Sequence, residues 1–422
     1  MLDIGLWIKH KKMRKFIPDF FIDVWSSRLF RILFFIAGLS HFIGVLVPET
    51  GFDAVWYHLP ITQVFLNRGW DGFIPELYQS AMPHLGSLIF VLPYVVFGVV
   101  GIKLFTYILV WLMIVLMYRI AKPLIGIRYA LFGCLIFFTF HTVGWQASSA
   151  YVDSVRTVFE LATIRLIMEK KRVSPVFAGI FLGLALSTKL LAFLMLPAFF
   201  LFAMIRKHSR FARVMCITAI LVVSPWFVRS YLWTGNPIYP LFQSSLGVDQ
   251  VAHLGYGTVL SWLTHQVVMI PFLPVIMSIQ WGDWTSPIFI LGAFSAIYVK
   301  KEVWKKHLGL LAFVLIFMIF WLLFPPLSVR YALTGFSIAI MMCLLAFKNL
   351  PQKFYTLRQI FIVICWLGIS FNLVYRFGAN TKQLELLTGK ISHQTYLDQR
   401  SQGVAKGPME KWYSGYWARY GK

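Results

Sequence analysis

A chain of 422 residues with 59% hydrophobic and 13% charged side chains has too much apolar surface for a water-soluble fold of its length, where about a quarter of residues are charged. The formal charge of +23 comes from 39 Lys and Arg against 16 Asp and Glu. The basic residues fall in short stretches between apolar runs, which is the positive-inside pattern of a polytopic membrane protein and argues against a nucleic-acid partner. The four cysteines, Cys134, Cys216, Cys343 and Cys365, all lie inside apolar runs with no CxxC or His/Cys zinc spacing. They read as small hydrophobes, with no disulfide and no structural zinc.

The first apolar run covers 30–47. Lys9, Lys11, Lys12, Arg14 and Lys15 precede it and no small-residue cleavage site follows it, so the N-terminus is expected in the cytoplasm, uncleaved. The loop 48–84 is then outside. It carries Glu49, Asp53, Trp56, Tyr57, His58, Asp71, Glu76, Tyr78 and His84. Three apolar stretches follow, at 85–101, 104–121 and 124–140. Arg119, Lys122 and Arg128 flank the turn between the last two, which places that turn in the cytoplasm. The stretch 85–101, interrupted by Pro93, is therefore expected to lie in the interface or re-enter, so that Asp53 and Asp153 share the outer side.

The next helix, 155–168, ends in a charged cluster at 169–172. The apolar segment 174–205 is basic at both flanks and holds Lys189 in its middle. It reads as a hairpin of two short helices with Lys189 near the outer tip. The run 213–232 leads back to a long outer region, 233–283, within which 267–279 is broken by Pro271 and Pro274 and reads as interfacial. Runs at 286–299, 308–324, 332–347 and 361–374 complete the set, with lysines marking the cytoplasmic turns. The expectation is an all-α polytopic protein of about eleven transmembrane helices, each needing about 20 mostly apolar residues, with interfacial helices in the outer loops. The membrane module is 1–375. A polar tail, 376–422, lies outside, rich in basic and aromatic residues that suit lipid headgroups or closure over a site. Trp145, Trp233 and Trp281 near helix ends read as interface anchors.

The polar residues concentrate in the outer loops. Glu49 and Asp53 are four apart, so a helical turn would put them on one face. A carboxylate shielded by Trp56 and Tyr57 could serve as a general base, with His58 holding a phosphate or a sugar hydroxyl. The same residues also read as an exposed loop whose acids cap a short interfacial helix.

The stretch DAVWYHLP (53–60) resembles the first outer loop of the C-type glycosyltransferase (GT-C) superfamily, polytopic enzymes that use polyprenyl-phosphate sugars. MPHLGSLIF (82–90), AYVDSVRTVFELA (150–162), GIFLGLALSTKLLAFLMLP (179–197), TGNPIYP (234–240) and SVRYAL (328–333) resemble later elements of that superfamily in the same order. The resemblance implies Asp53 as the catalytic base and Asp153 as the acid of the second loop. It also implies Lys189 in the helix hairpin and Arg330 with Tyr331 near the lipid phosphate. Glu49, His58 and His84 complete the implied substrate-binding set, with Arg156 and Arg229 as reserve cations that otherwise read as snorkelling to headgroups. Ala54 follows Asp53 where many members carry a second acid, so neither a metal nor another cofactor is implied. Many members also carry a large outer domain, so acceptor recognition here would fall to the loops.

The implied reaction is inverting transfer of a sugar from a polyprenyl-phosphate donor to a cell-envelope glycan, lipid or protein. The implied setting is a bacterial inner membrane, with the site on the periplasmic side and membrane lipids around it. The alternative is a transporter or flippase of a lipid-linked saccharide, which would hold its substrate near the bilayer midplane.

Overall fold

The structure, a computed structural model, describes residues 18–74, 77–169, 173–241, 264, 266–280, 283–323 and 327–401. It is a helical bundle. In hydrocarbon each segment must satisfy its own backbone N–H and C=O groups, which makes the α-helix the default for an apolar run. Among the described residues the strand content is one antiparallel ladder pairing Ile279–Gln280 with Asp283–Trp284.

The chain begins with α1 (Asp19–Ser26) and α2 (Arg28–Val45). Within the first loop lies α3 (Leu59–Arg68). Next come α4 (Leu85–Ile89), α5 (Val91–Ile125), α6 (Ile127–Phe138) and α7 (His141–Ala147), then α8 (Asp153–Met168), α9 (Pro175–Thr188), α10 (Leu196–Arg206) and α11 (Ser209–Thr234). The second half holds α12 (Leu273–Ser278), α13 (Ile288–Ala296), α14 (Lys301–Lys306), α15 (Leu308–Leu323), α16 (Leu333–Lys348), α17 (Tyr355–Ala379), α18 (Thr381–Leu387) and α19 (His393–Ser401).

Among the described residues five segments are long and apolar enough to cross a bilayer alone: α2, α5, α11, Val329–Lys348 and Gln352–Ala379. The pair α6–α7, bent by 73°, has the length and composition of either a broken span or a re-entrant loop. The other runs read from the sequence as crossings fall on α8, α9, α10, α13 and α15. These are shorter, and α8 also carries charge.

The stretch 85–101 is interrupted, but at Phe97 and Gly98, where α5 loses helical geometry, rather than at Pro93. Gly98 sits at φ 60°, which an L side chain resists. Leu92, Val95, Val96 and Phe97 before the break are all exposed, as a piece lying against lipid would be. The Pro271–Pro274 piece likewise forms only one tight turn and the six-residue α12, with Val268 and Phe272 exposed.

The bundle has two chemically distinct ends. Helix α8 starts at Asp153, which meets Lys189, and finishes beside Glu169, whose carbonyl takes a 2.6 Å hydrogen bond from Lys207. Lys189 and Lys207 thus lie at opposite ends of α8, so α9 and α10 form the hairpin expected of 174–205. Arg119, Arg165, Arg206, Lys306 and His307 surround one cavity at the second end. At the first end Asp53 and Asp153 lie together, as the charge pattern implied.

Helix α9 reaches its place by close packing. A Cβ on Gly179 would stand 2.5 Å from the Met215 carbonyl, and one on Gly183 2.5 Å from Val222 Cβ and 2.8 Å from the Ala219 carbonyl. This small-xxx-small stripe lets the backbones of α9 and α11 approach. It fixes the end of α9 from which Lys189 projects.

The C-terminal part differs from the expected boundary. The helix of the last run does not end before residue 376 but continues through Arg376 to Ala379. Asn380 donates to the Ser40 carbonyl at 2.6 Å, and Leu386 and Tyr396 pack on Val47. The start of the tail is therefore part of the bundle's acidic end, while 402–422 lies outside the described residues.

Gly183→Val should lower stability in detergent by about 1–3 kcal/mol through overpacking, read as a drop in thermal midpoint. Gly378→Ala, where nothing stands within 4 Å of a new Cβ, should leave the midpoint unchanged or raise it slightly.

Candidate functional site

The site starts where α2 ends. Glu49 accepts hydrogen bonds from the N–H groups of Thr50 (3.0 Å), Gly51 (2.7 Å) and Ala150 (2.6 Å). Its carboxylate clips the first loop to the loop before α8. It therefore positions the site, rather than pairing with Asp53 as a second acid. A Cβ at Gly51 would lie 2.6 Å from Tyr151 Cε2, so this junction needs glycine. The N–H of Asp53 then donates to Tyr151 Oη at 3.0 Å. Beyond Asp53 the backbone makes a wide π-type turn, Ala54–His58, a distortion that recurs at functional sites.

Asp53 Oδ2 lies 2.7 Å from Arg330 Nη1. Arg330 also donates through Nη2 to the Tyr331 hydroxyl. Its guanidinium faces the rings of Tyr331 at 4.6 Å, Tyr151 at 5.1 Å and Trp145 at 5.9 Å. On the other side of the centre, Lys189 Nζ is 3.2 Å from Asp153 Oδ1 and 4.4 Å from the Tyr331 ring centroid. Tyr331 is thus shared by both cations. The sequence of groups is Asp153, Lys189, Tyr331, Arg330, Asp53: two ion pairs whose cations both face one aromatic ring. Asp153 is fully buried and its Oδ2 has no hydrogen-bond partner among the described residues. Asp53 retains 8% exposure, so of the two acids it is the one a ligand can reach.

Arg156 is not at the headgroups. It is fully buried, and its Nη2 donates to the carbonyls of Arg330 (3.2 Å) and Tyr331 (2.8 Å). Its Nε lies 3.5 Å from Glu160 Oε1, and Glu160 in turn accepts from the Thr334 hydroxyl. This chain ties α8 to the turn Val329–Ala332 and sets the direction of Arg330. Arg229 also departs from the snorkelling reading. It is 3% exposed, donates to the carbonyls of Trp70 (3.1 Å) and Gly72 (3.4 Å), and packs on Trp233 at 4.0 Å. It pins the far end of the first loop. Trp233 belongs to that cage, and Trp145 to the wall beside Arg330, so neither is simply an interface anchor. Trp281 lies outside the described residues.

The two histidines sit beside this centre, with rings 6.2 Å apart. His84 donates from Nε2 to the Gln79 carbonyl at 2.5 Å. Burial pushes its pKa down to about 3, so the ring is neutral at physiological pH. Burial, then the charge of Lys189, holds His58 well below the usual histidine range. Neither ring supplies a fixed positive charge; each offers a neutral imidazole. Tyr151 is pushed up by burial and by the Asp53 carboxylate, and keeps its proton. Among the described residues no group of three or more His, Cys, Asp or Glu side chains is placed to hold a metal ion.

Asp53, Asp153, Lys189, Arg330 and Tyr331 are therefore brought together, and Glu49, His58 and His84 surround them. Sequence reasoning missed Tyr151 and the Arg156–Glu160–Thr334 chain. One signal was present: Arg156 and Glu160 are four apart on an otherwise apolar helix, where ionisable residues seldom occur without purpose.

With this geometry in view, comparison with known proteins is informative. Residues 80–233 match the family model described as dolichyl-phosphate-mannose-protein mannosyltransferase. No curated protein matches the sequence. Two solved structures of ArnT from Cupriavidus metallidurans are similar. The apo form has a TM-score of 0.52 at 15% identity over 78% of this chain and 61% of that one. The form bound to undecaprenyl phosphate has the same TM-score and identity over 80% and 62%. This chain thus spans about three fifths of the length of those proteins, and it has the GT-C fold.

Asp153→Asn strands Lys189 without its counter-charge, and should cost about 3–5 kcal/mol. Asp153→Asn combined with Lys189→Met should recover much of that loss. A thermal-midpoint cycle checks this, and a double variant no more stable than Asp153→Asn would contradict the pairing.

Proposed function

We propose that this chain is a membrane glycosyltransferase that moves a sugar from a polyprenyl-phosphate carrier to a cell-envelope glycan, lipid or protein on the non-cytoplasmic face. The observation that carries this reading is the Asp53–Arg330–Tyr331–Lys189–Asp153 cluster, assembled from separate elements at the end of the bundle away from the basic cavity. The matches to a mannosyltransferase family model and to an ArnT structure bound to undecaprenyl phosphate support it.

Asp53, the more reachable acid, acts as general base. The acceptor oxygen or nitrogen attacks the anomeric carbon from the face opposite the phosphate, and its proton passes to the Asp53 carboxylate. The bond between the anomeric carbon and the phosphate oxygen breaks, its electron pair going to the phosphate, and the configuration inverts. Arg330 and Lys189 stabilise the negative charge that develops on the leaving polyprenyl phosphate; fixed charge aimed at such a group is usually a large catalytic term. Asp153 and the Tyr331 ring hold Lys189, and Arg156 holds the backbone of Arg330.

The 2.7 Å pair between Asp53 and Arg330 gives the mechanism an order. While Arg330 is bound to it, Asp53 is a poor base. A donor phosphate that takes the guanidinium's hydrogen bonds frees the carboxylate, so the base is armed only when donor is present. The lipid chain of the donor enters from the bilayer. The basic end with Arg119, Arg206 and Lys306 faces the cytoplasm, in keeping with the positive-inside rule, and the setting is a bacterial inner membrane. The acids lie at one end of the bundle rather than at a midplane site on broken helices, which favours the enzyme over a transporter.

Asp53→Asn, assayed in proteoliposomes with a panel of polyprenyl-phosphate sugars, should lose transfer by about 10²–10⁴-fold while keeping donor binding. Transfer at the parental rate with a normal protein level would remove Asp53 from this role.

A further inference from the structure

A second polar cavity, of about 380 Å³, lies beside the first loop, between the ends of α2 and α17 and the start of α18 and α19. Two cations in its wall are buried. Lys103 is 2% exposed, and the hydrogen bond it makes is to the Val47 carbonyl at 2.6 Å. Arg376 is 5% exposed, donates to Ser148 Oγ at 2.9 Å, and has no partner for Nε among the described residues. Among the described residues neither forms an ion pair. Arg400 adds a third positive charge at the rim. The carboxylate in the wall, Glu49, already accepts from three backbone N–H groups. A buried cation with no direct ion-pair partner is costly, and in a membrane helix it is a candidate functional position.

The cavity is also shaped around Arg376. A Cβ on Gly44 would stand 2.7 Å from Ser148 Oγ and 3.3 Å from Arg376 Nη2. Glycine at that position leaves room for the guanidinium against α2. Glu49 links this cavity to the catalytic side: its Oε2 takes the Ala150 N–H, and the next residue, Tyr151, takes the Asp53 N–H. The two sites share a wall one loop thick.

We propose that this cavity is a second anion site, which binds a phosphate group through Lys103, Arg376 and the Ser148 hydroxyl. Resting on the glycosyltransferase reading, that phosphate belongs to the acceptor. The chemistry is a phosphate ester attached to a larger body, since the cavity exceeds the size of a free phosphate. A guanidinium fork and an ammonium in the wall of one cavity suit a phosphate oxygen cluster. The donor phosphate remains with Lys189 and Arg330, so donor and acceptor charges are held on opposite sides of Asp53.

The test uses the full chain in nanodiscs, in an Arg330→Gln background that weakens the first anion site. Glucose 1-phosphate is one probe and phosphatidic acid in the nanodisc is the other, each read by ³¹P line broadening and by the tryptophan emission of the protein. Arg376→Met and Gly44→Ala should each weaken phosphate binding by tenfold or more. Arg376→Met keeps an apolar body in place of the unpaired charge and should fold. Response to the sugar phosphate assigns a soluble acceptor, and response to phosphatidic acid alone assigns a lipid-borne one. In the chain with Arg330 restored, the same variants should raise the acceptor KM tenfold or more and leave the donor KM unchanged. Phosphate binding lost in these variants, with no transfer by the parent chain, would keep the anion site and remove the glycosyltransferase reading. Unchanged binding of both probes in both variants would overturn the site.

Discussion

Charge buried in a lipid-embedded bundle is costly unless it is paired or hydrogen-bonded, and this one requirement organises the acidic end of the molecule. Lys189 is held by Asp153 and Arg330 by Asp53, at 3.2 and 2.7 Å, with the Tyr331 ring between the two cations. Removing any one member leaves a neighbour stranded in a medium that screens poorly. The cluster therefore constrains α8, the α9–α10 hairpin, the first loop and the turn before α16 to meet in one arrangement. The same balance leaves the cluster ready for an anionic ligand, because a phosphate can replace Asp53 as partner of Arg330 without leaving the cation uncompensated.

The rest of the fold supports that arrangement at a distance. The Arg156–Glu160–Thr334 chain braces α8 against the Arg330 turn from below. The Gly179–Gly183 stripe brings α9 against α11 and so sets the height of Lys189. Glu49 spends its carboxylate on backbone amides and thereby holds Asp53 in register with Tyr151. Arg229, within its tryptophan cage, holds the far end of the same loop. In the proposed mechanism each of these groups acts through position and does not need to touch a substrate.

Much of this was legible in the sequence because lipid makes the rules strict. Long apolar runs and basic turns gave the bundle and its two ends, and the hairpin around Lys189 followed from basic flanks on both sides of one long run. The ordered resemblance of short motifs to the GT-C superfamily pointed to Asp53, Asp153, Lys189, Arg330 and Tyr331. What escaped was contact information. Arg156 and Arg229 look alike in sequence, as cations near helix ends, yet each is buried against particular carbonyls that lie far away in the chain. Glu49 looked like a second acid, and only the fold reveals the Ala150 amide 2.6 Å from it. Arg376 fell at an apparent boundary because the apolar run stops before it, whereas tertiary contacts from Ser148 carry the helix past it.

The central claim is that the Asp53–Arg330 pair opens to receive the phosphate of a polyprenyl carrier. A structure of the full chain in nanodiscs with undecaprenyl phosphate tests it most directly. Phosphate density within about 3 Å of Arg330 and Lys189, with Asp53 released from Arg330, is the result expected. Lipid phosphate bound elsewhere, with the Asp53–Arg330 pair still closed, would contradict it.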